Sequence, residues 1–121
     1  MTDYVVVDEL NRIWIMIYGQ RRRVVTLELY HELFELEPVK IETSLLDRIE
    51  SGPDICSGSC LIRGDGSLGI FLVTGYPGTS RHLISDFETF QAYGFRLDAV
   101  RNVPVLVLEQ VSLGGSIYLN K

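Results

Sequence analysis

The sequence has no long hydrophobic run. None of its apolar stretches approaches the roughly 20 residues that a membrane-spanning helix needs. The first residues, MTDYVVVDELNR, contain neither the basic segment nor the apolar segment of a secretion signal. We therefore expect no membrane insertion and no cleavable signal, and the localisation stays unknown on this evidence.

The sequence also lacks the motifs of several common catalytic sites. It contains no nucleophile elbow, no phosphate-binding loop and no zinc-protease motif. Ser80 and His82 are two residues apart on a predicted strand, so their side chains lie on the same face. The sequence places no acidic residue beside them. We interpret the chain as a non-enzyme that uses no cofactor.

Cysteine and histidine are scarce, with two of each. Cys56 and Cys60 are separated by three small residues, and this spacing allows either a local disulfide or two thiols in a linker. Together with His31 and His82 they could nominally supply a zinc site. The histidines lie in different parts of the chain, so we favour histidines on solvated faces and predict no metal.

Basic residues are in the minority, with 11 Lys and Arg against 16 Asp and Glu, for a net charge of −5. The negative net charge would repel the phosphates of a nucleic acid, so we predict no nucleic-acid partner. The one basic cluster is Arg21-Arg22-Arg23, with Arg12 nearby, and it could contact a phosphate or a carboxylate. The alternative, which we favour, is a strand whose arginines are balanced by neighbouring glutamates. Arg21 and Arg22 remain candidate binding residues.

The strongest pattern in the sequence is a duplication of strand, turn, strand and short helix. It spans Ile70–Phe95 and, in a divergent copy, Ile13–Phe34. In the predicted strands, Leu61-Ile62 matches Tyr4-Val5, Ile70-Phe71-Leu72-Val73 matches Ile13-Trp14-Ile15-Met16, and Arg81-His82 matches Arg21-Arg22. In the first predicted helix of each copy, Phe87, Phe90 and Tyr93 match Leu27, Tyr30 and Leu33 in that order. Further along, Leu108, Val111, Gly114 and Ile117 match Leu46, Ile49, Gly52 and Ile55 in that order. A hairpin with one short helix cannot cover its own apolar face, whereas a second copy packed against it can.

These matches predict an α+β protein of two tandem pseudo-equivalent repeats, each a small antiparallel β-meander with two short helices. Repeat 1 covers residues 4–55, residues 56–60 form a linker, and repeat 2 covers residues 61–117, packed as one globular unit. The apolar C-terminal stretch Ile117–Leu119 either completes the chain's own fold or adds to a neighbour's sheet. We favour the second, because an apolar tip followed by polar residues is typical of an edge.

The helix ends carry their own signals. Ser85 with Glu88 three residues later predicts a capping box, and Ser44 with Asp47 has the same spacing. Gly94 is placed where a left-handed residue ends a helix. Phe34 occupies the corresponding position of the first copy, so we expect the first helix to end differently.

Aromatic residues near the hairpins are the candidate contact residues. Tyr18, Tyr76 and Tyr118 could stack on a sugar or anchor a protein partner. Tyr76 is the best of them, because it lies in a Pro-Gly turn where a core position is difficult to reach. Trp14, which is equivalent to Phe71, is instead expected to fill the core between the copies.

The second copy resembles a known bacterial repeat. The residues that carry the likeness are Phe71-Leu72-Val73, Arg81-His82, Glu88-Thr89-Phe90, Tyr93-Gly94-Phe95, Val100, Leu108, Val111, Gly114 and Ile117. They resemble a tandem repeat of about fifty residues with the pattern Y-L-V-x-G-G-x-x-R-H, then F-x-x-Y-G-Y, then I-P-x-G. That repeat occurs in secreted, cell-surface and some phage-encoded proteins. The chain departs from it at the hairpin of residues 75–78 and at Phe87, where the repeat has proline.

The resemblance implies a binding or assembly role without catalytic residues, in a virion or extracellular setting. We therefore predict a non-catalytic structural or interaction module, an accessory component of a larger assembly such as a phage virion. The partner would be another protein or a second copy of the chain. Two alternatives stay open: a module that binds cell wall or carbohydrate, and a small cytosolic regulator or inhibitor that acts by protein binding.

Overall fold

A computed structural model of the chain describes residues 4–17, 19–75 and 79–119. The fold is α+β, as predicted. The elements are β1 (Val5–Val7), β2 (Ile13–Ile17), β3 (Gln20–Val24), α1 (Leu27–Leu33), β4 (Val39–Lys40), α2 (Thr43–Leu46), β5 (Glu50–Ser51), β6 (Cys60–Gly64), β7 (Ile70–Thr74), β8 (Ser80–Ile84), α3 (Phe87–Tyr93), β9 (Val100–Val103), α4 (Val105–Glu109) and β10 (Ser112–Leu113). A short 3₁₀ turn, Leu97–Ala99, precedes β9. Across the described ranges, no helix has the length and apolar character needed to cross a bilayer.

The strands form two sheets with the same strand order. The first sheet runs β4-β1-β2-β3-β5 and the second runs β9-β6-β7-β8-β10. In each sheet the three central strands form the predicted antiparallel meander. The outer strands add in parallel, which the sequence did not predict. The equal size and order of the sheets are consistent with the predicted two-repeat layout.

The strand register fixes which residues of the two halves correspond. Val5 pairs with Ile15 in the first sheet, and Leu61 pairs with Leu72 in the second. Leu61 therefore corresponds to Val5 and not to Tyr4, so the sequence match was wrong by one residue here. Side chains alternate between faces along a strand, and a one-residue error exchanges the core face for the outer face.

The inner faces of both sheets share one hydrophobic core. The buried side chains that form it include Ile13, Ile15, Ile17, Leu29, Tyr30, Leu33 and Phe34 from the first half and Leu61, Ile70, Leu72, Ile84, Phe90, Tyr93, Phe95 and Ile117 from the second. Alternate residues of β2 and β7 point into this core, as the period of a strand requires. Neither half buries its inner face without the other.

The outer face of each sheet has a small core of its own. Val6 and Trp14 pack against Leu46 of α2, while Ile62 and Val73 pack against Leu108 of α4. Trp14 is buried as expected, but it lies beneath α2. The prediction that it fills the space between the two copies was wrong, because Trp14 and its neighbour Ile15 point to opposite faces of β2.

A short antiparallel pairing joins the two halves. Phe34, which follows α1, faces Phe95, which follows α3, with ring centroids 4.9 Å apart. The Glu35 amide donates to the Gly94 carbonyl at 2.7 Å, and the Arg96 amide donates to the Leu33 carbonyl at 2.8 Å. The pairing connects corresponding segments of the two halves, as a local two-fold axis would.

The longer helix of each half, α1 in the first and α3 in the second, begins at an equivalent N-cap. The Asp86 carboxylate accepts a hydrogen bond from the Thr89 amide at 2.8 Å, and the Thr26 hydroxyl accepts one from the Leu29 amide at 3.1 Å. The predicted cap at Ser85 was therefore wrong by one residue. Because the helix begins at Phe87, that side chain is exposed at the helix start, and only Phe90 and Tyr93 of the predicted apolar stripe are buried.

The short helix α2 has no side-chain cap. Glu42 occupies its N-cap position. The Thr43 amide donates a hydrogen bond of 2.9 Å to the carboxylate of Glu9, which lies in the β1–β2 turn. The capping box predicted for Ser44 and Asp47 was wrong, because the helix begins at Thr43.

The two long helices end differently, as expected. Gly94 ends α3 in the left-handed conformation at φ 75°, whereas Phe34 ends α1 in an extended conformation. The left-handed region favours glycine, so the predicted cap at Gly94 is confirmed.

The C-terminal stretch closes the chain's own sheet. Ile117 is fully buried and pairs in parallel with Ile84, and its amide donates to the Leu83 carbonyl at 2.7 Å. Ile55 makes the same bridge to Val24 in the first half. Of the two alternatives, the favoured addition of Ile117 to a neighbour's sheet was wrong, because the edge of β8 that faces away from β7 already binds it.

Candidate functional site

Strand alternation disperses the predicted arginine cluster. Arg21 lies on the outer face of β3, with its guanidinium carbon 4.8 Å from the centre of the Trp14 ring and an Nη1 to Asp47 Oδ1 distance of 3.4 Å. Arg81, the equivalent residue, stacks on Phe71 at 5.0 Å in the second half. Arg21 thus covers the small core on the outer face of the first sheet, as Arg81 does on the second sheet.

Arg22 points the other way, into the space between the sheets. It is 8% exposed, its Nε has no hydrogen-bond partner among the described residues, and burial lowers the pKa of the guanidinium. Its equivalent in the second half is His82, and the Arg22 charge lies close enough to lower the His82 pKa. Little of Arg22 is accessible to a ligand.

His82 is buried, so the expectation of a solvated histidine was wrong for this residue. Its Nδ1 lies 2.8 Å from the Gly115 carbonyl oxygen and its Nε2 lies 3.2 Å from the Thr74 hydroxyl. A carbonyl only accepts, so Nδ1 carries the proton in the neutral ring. Burial lowers the His82 pKa; the Gly115 carbonyl opposes this and the Arg22 charge adds to it.

The other candidate ligands for a metal are separate from His82. His31 is exposed on α1, and Cys56 and Cys60 are both partly buried, with Cys60 in β6. Burial raises the pKa of the Cys60 thiol, although the Arg101 charge acts against this. Within the described ranges, no three His, Cys, Asp or Glu side chains converge into a metal site. Whether the two cysteines form a disulfide stays a prediction.

The hairpin between β6 and β7 contains a glycine spacing that the sequence analysis missed. Gly64, Gly66 and Gly69 match the G-x-G-x-x-G pattern of dinucleotide-binding loops. In those loops the glycines join a strand to a helix, whose N-terminus binds the pyrophosphate. Here they join two antiparallel strands, so the pattern indicates a turn and not a nucleotide site.

The predicted tyrosine contacts are only partly described by the structure. Tyr18 and Tyr76 lie outside the described residues, so the carbohydrate-binding prediction that depended on Tyr76 stays a prediction. Tyr118 is exposed beside the buried Ile117.

Two clefts lie at equivalent places in the two halves, where the central strands meet the start of the long helix. The first, here called the basic cleft, has a volume of about 510 Å³ and is lined by Val7, Asn11, Arg12, Ile13, Arg23, Val24, Val25, Thr26, Leu27, Tyr30, His31, Glu37, Pro38 and Lys40. The second, here called the apolar cleft, has a volume of about 440 Å³ and is lined by Leu68, Gly69, Ile70, Leu83, Ile84, Ser85, Asp86, Phe87 and Phe90.

Arg12 is held at the rim of the basic cleft by a buried carboxylate. Asp8 receives hydrogen bonds from the Arg12 Nε at 2.8 Å, from the Arg12 amide at 2.9 Å and from the Trp14 indole at 3.1 Å. Burial alone would raise the Asp8 pKa, but these bonds outweigh it and the net pKa is lowered. Asp8 is therefore ionised at neutral pH and positions Arg12.

Tyr30 lies on the inner wall of the basic cleft. Its hydroxyl donates to the Leu36 carbonyl. Burial, with a contribution from the nearby Glu37 charge, raises the Tyr30 pKa to about 12. The phenol is therefore protonated at neutral pH, and Glu37 supplies a negative charge to the cleft.

A separate surface feature lies on the opposite side of the second sheet. Three consecutive residues of α4, Val105, Leu106 and Val107, are exposed, and Leu106 is 75% exposed. We call this surface the α4 patch. Matching the buried leucines, Leu46 of α2 and Leu108 of α4, places Thr43, Ser44 and Leu45 at the equivalent positions in the first half.

No protein-family model and no curated protein sequence matches this chain. The resemblance to the bacterial repeat therefore stays a prediction. The α4 patch and the two clefts are the surface features from which a function can be inferred.

Proposed function

We propose that the chain is a non-catalytic interaction module that assembles with a second copy of itself through the α4 patch. The observation that carries the proposal is the exposure of three consecutive aliphatic side chains on one short helix. Contiguous exposed apolar residues mark protein contact sites more often than chance, whereas single exposed ones are ordinary.

The first half shows that the fold does not need this surface. In α2, as in α4, one buried leucine anchors the helix: Leu46 in the first half and Leu108 in the second. The positions of Val105 and Leu106 are taken by Thr43 and Ser44 in α2. The third position is aliphatic in both halves, Leu45 and Val107, so the halves differ at Val105 and Leu106. Leu106, 75% exposed, is the residue that most clearly indicates a role outside the fold.

The chemistry of the patch favours a second copy as the partner. Its three side chains carry no charge, so two patches related by a two-fold axis meet without an unpaired charge. Burying a fully exposed leucine or valine contributes about 1.5–3 kcal/mol. In protein interfaces a few central residues commonly supply most of the binding energy.

The place of this assembly in a larger structure is also part of the proposal. An accessory role in a phage virion or a comparable assembly is supported by the residues that resemble the bacterial repeat, chiefly Arg81-His82 and Tyr93-Gly94-Phe95.

Sedimentation velocity of the full chain over a range of concentrations tests the proposal. We expect a species of about twice the 13.7 kDa chain mass that dissociates on dilution. Leu106→Ser, which installs the residue of the equivalent α2 position, should weaken this dimer at least about tenfold. Leu10→Ser removes an exposed leucine outside the patch and should leave it intact. A monomer at every concentration, or equal weakening by both variants, would contradict the proposal.

A further inference from the structure

We propose that Arg22 binds a small, singly charged anion, of the size of chloride or formate, in the interior between the two sheets. The site lies on the inner face of β3, whereas the α4 patch lies on the outer side of the second sheet. The inference therefore does not depend on self-association.

Arg22 carries its charge into the protein interior. In the strand register it lies beside Ile15, which is fully buried in the shared core, so both side chains point inward. Arg22 itself is 8% exposed. A guanidinium stays protonated in proteins, so burial leaves the positive charge in place. A buried charge is costly unless an opposite charge compensates it.

The residues that the structure describes supply no such compensation. The Arg22 Nε is buried without a hydrogen-bond partner, and the two ion pairs of the described residues, at Asp8 and Asp47, involve other arginines. Gln20 lies two residues away on the same face of β3 and carries no charge. A water molecule accepts a hydrogen bond from Nε but has no charge to offset the guanidinium. An anion does both.

His82, the equivalent residue of the second half, has its partners within the fold. Its Nδ1 lies 2.8 Å from the Gly115 carbonyl oxygen and its Nε2 lies 3.2 Å from the Thr74 hydroxyl. Pro53 is the first-half counterpart of Gly115, because the residues before them donate to equivalent carbonyls of β3 and β8. The Arg22 Nε bonds neither to Pro53 nor to any other described residue. The fold thus completes one of two equivalent positions with its own atoms, and the other requires a partner from outside the chain.

The surroundings of Arg22 determine the size and charge of the anion. Neutral His82 adds no second positive charge, so one cation requires one negative charge, and a doubly charged anion would leave an unpaired charge in the interior. The small exposed fraction of Arg22 admits only a small ion. The net charge of the chain is −5, so anions are not concentrated at its surface in general.

The Nε–H signal of Arg22 in NMR spectra of the full, ¹⁵N-labelled chain reports on the site directly. Arg22→Met identifies this signal by removing it. Sodium chloride replaces sodium gluconate, a bulky singly charged anion, at constant ionic strength. We expect a saturable shift with half-saturation at roughly 10–100 mM chloride, as a single hydrogen bond to a charged group supports. Formate should also shift this signal saturably.

Urea unfolding at a fixed chain concentration measures the same binding, because a ligand that binds only the folded chain stabilises it. About 0.3 M chloride in place of gluconate should raise the folding equilibrium constant roughly 4- to 30-fold. This gain should disappear in Arg22→Met, and Arg22→Gln serves as a second variant if the first alters folding. Arg23→Met removes an exposed arginine from the opposite face of the same strand and should retain the gain.

Three results would overturn the inference: no saturable shift of the Arg22 Nε–H signal with chloride, an equal shift with gluconate, or a stabilisation by chloride that persists in Arg22→Met. Sodium sulfate is the comparator for charge. If sulfate binds at least as tightly as chloride, the assignment to a singly charged anion is wrong. None of these results bears on the dimer, which is measured separately by sedimentation.

Discussion

At the scale of single residues, the central question is how two basic side chains are accommodated between the sheets. Arg22 and His82 occupy equivalent positions on the inner faces of β3 and β8, and both are buried. His82 avoids a second positive charge by staying neutral, with its Nδ1–H bonded to the Gly115 carbonyl. Neutral histidine is thus part of the packing between the two halves.

This arrangement predicts a loss of stability in mild acid. Burial and the Arg22 charge lower the His82 pKa in the folded chain below its ordinary value of 6.5. The unfolded chain therefore binds a proton at His82 more readily, and folding stability falls as the pH drops below about 6.5. Urea unfolding between pH 8 and pH 5 measures this change.

Two substitutions identify the group responsible. In His82→Gln the loss of stability between pH 6.5 and pH 5 should be clearly smaller than in the parent chain. The same substitution at exposed His31 should leave that loss in place. If His82→Gln retains the full acid dependence, the neutral-histidine account is wrong.

At the scale of elements, the sequence predicted the central strands and long helices well and the edges poorly. The meanders were predictable because β2 and β7 are apolar runs bounded by turn residues. The parallel edge strands β4, β5 and β10 have two residues each, too few to carry a periodicity. The predicted cap of α3 was displaced by one residue because Ser85 and Asp86 are both good N-cap residues, and only the helix start distinguishes them.

The candidate sites were less predictable than the fold. The arginine cluster predicted a binding surface that stays a prediction. Strand alternation places Arg21 and Arg23 on the outer face of β3 and Arg22 on the inner face, and only Arg23 of the three lines the basic cleft. Lys40 reaches this cleft through the parallel pairing of β4 with β1, a contact between distant parts of the sequence. The α4 patch corresponds to the run Val105-Leu106-Val107, to which the sequence alone assigned no role.

Gly94 carries a prediction about the end of α3 and the junction of the halves. A Cβ at this position would lie 2.7 Å from the Leu36 Cγ, and the backbone φ of 75° is left-handed. Gly94→Ala should therefore lower the free energy of unfolding by about 2–3 kcal/mol, from backbone strain plus the contact with Leu36.

Gly19 provides a matched control for that substitution. It has nearly the same φ, 74°, but no atom of the described residues beyond its chain neighbours lies within 4 Å of the place that a Cβ would take. Gly19→Ala should therefore show the backbone strain alone, about 1 kcal/mol. Urea unfolding of both variants gives the difference. Equal losses would show that the close approach of Leu36 does not matter.

At the scale of the whole molecule, the two halves have one layout and one shared interior. Both inner faces contribute to the same core, and the hydrogen bonds between residues 33–35 and 94–96 tie the halves at the ends of the long helices. The Tyr93 hydroxyl adds a further link by donating to the Met16 carbonyl across the halves. We therefore expect the chain to fold as one cooperative unit, with the α4 patch and the clefts carried on a common scaffold.

The shared interior is tested most directly by comparing two probes of unfolding. Trp14 is the single tryptophan and lies in the first half, so its fluorescence reports that half, whereas hydrogen exchange of the α3 amides reports the second. We predict that both report the same free energy of unfolding, and that Gly94→Ala lowers both by the same amount. Separate transitions, or a Trp14 signal unaffected by Gly94→Ala, would contradict the account.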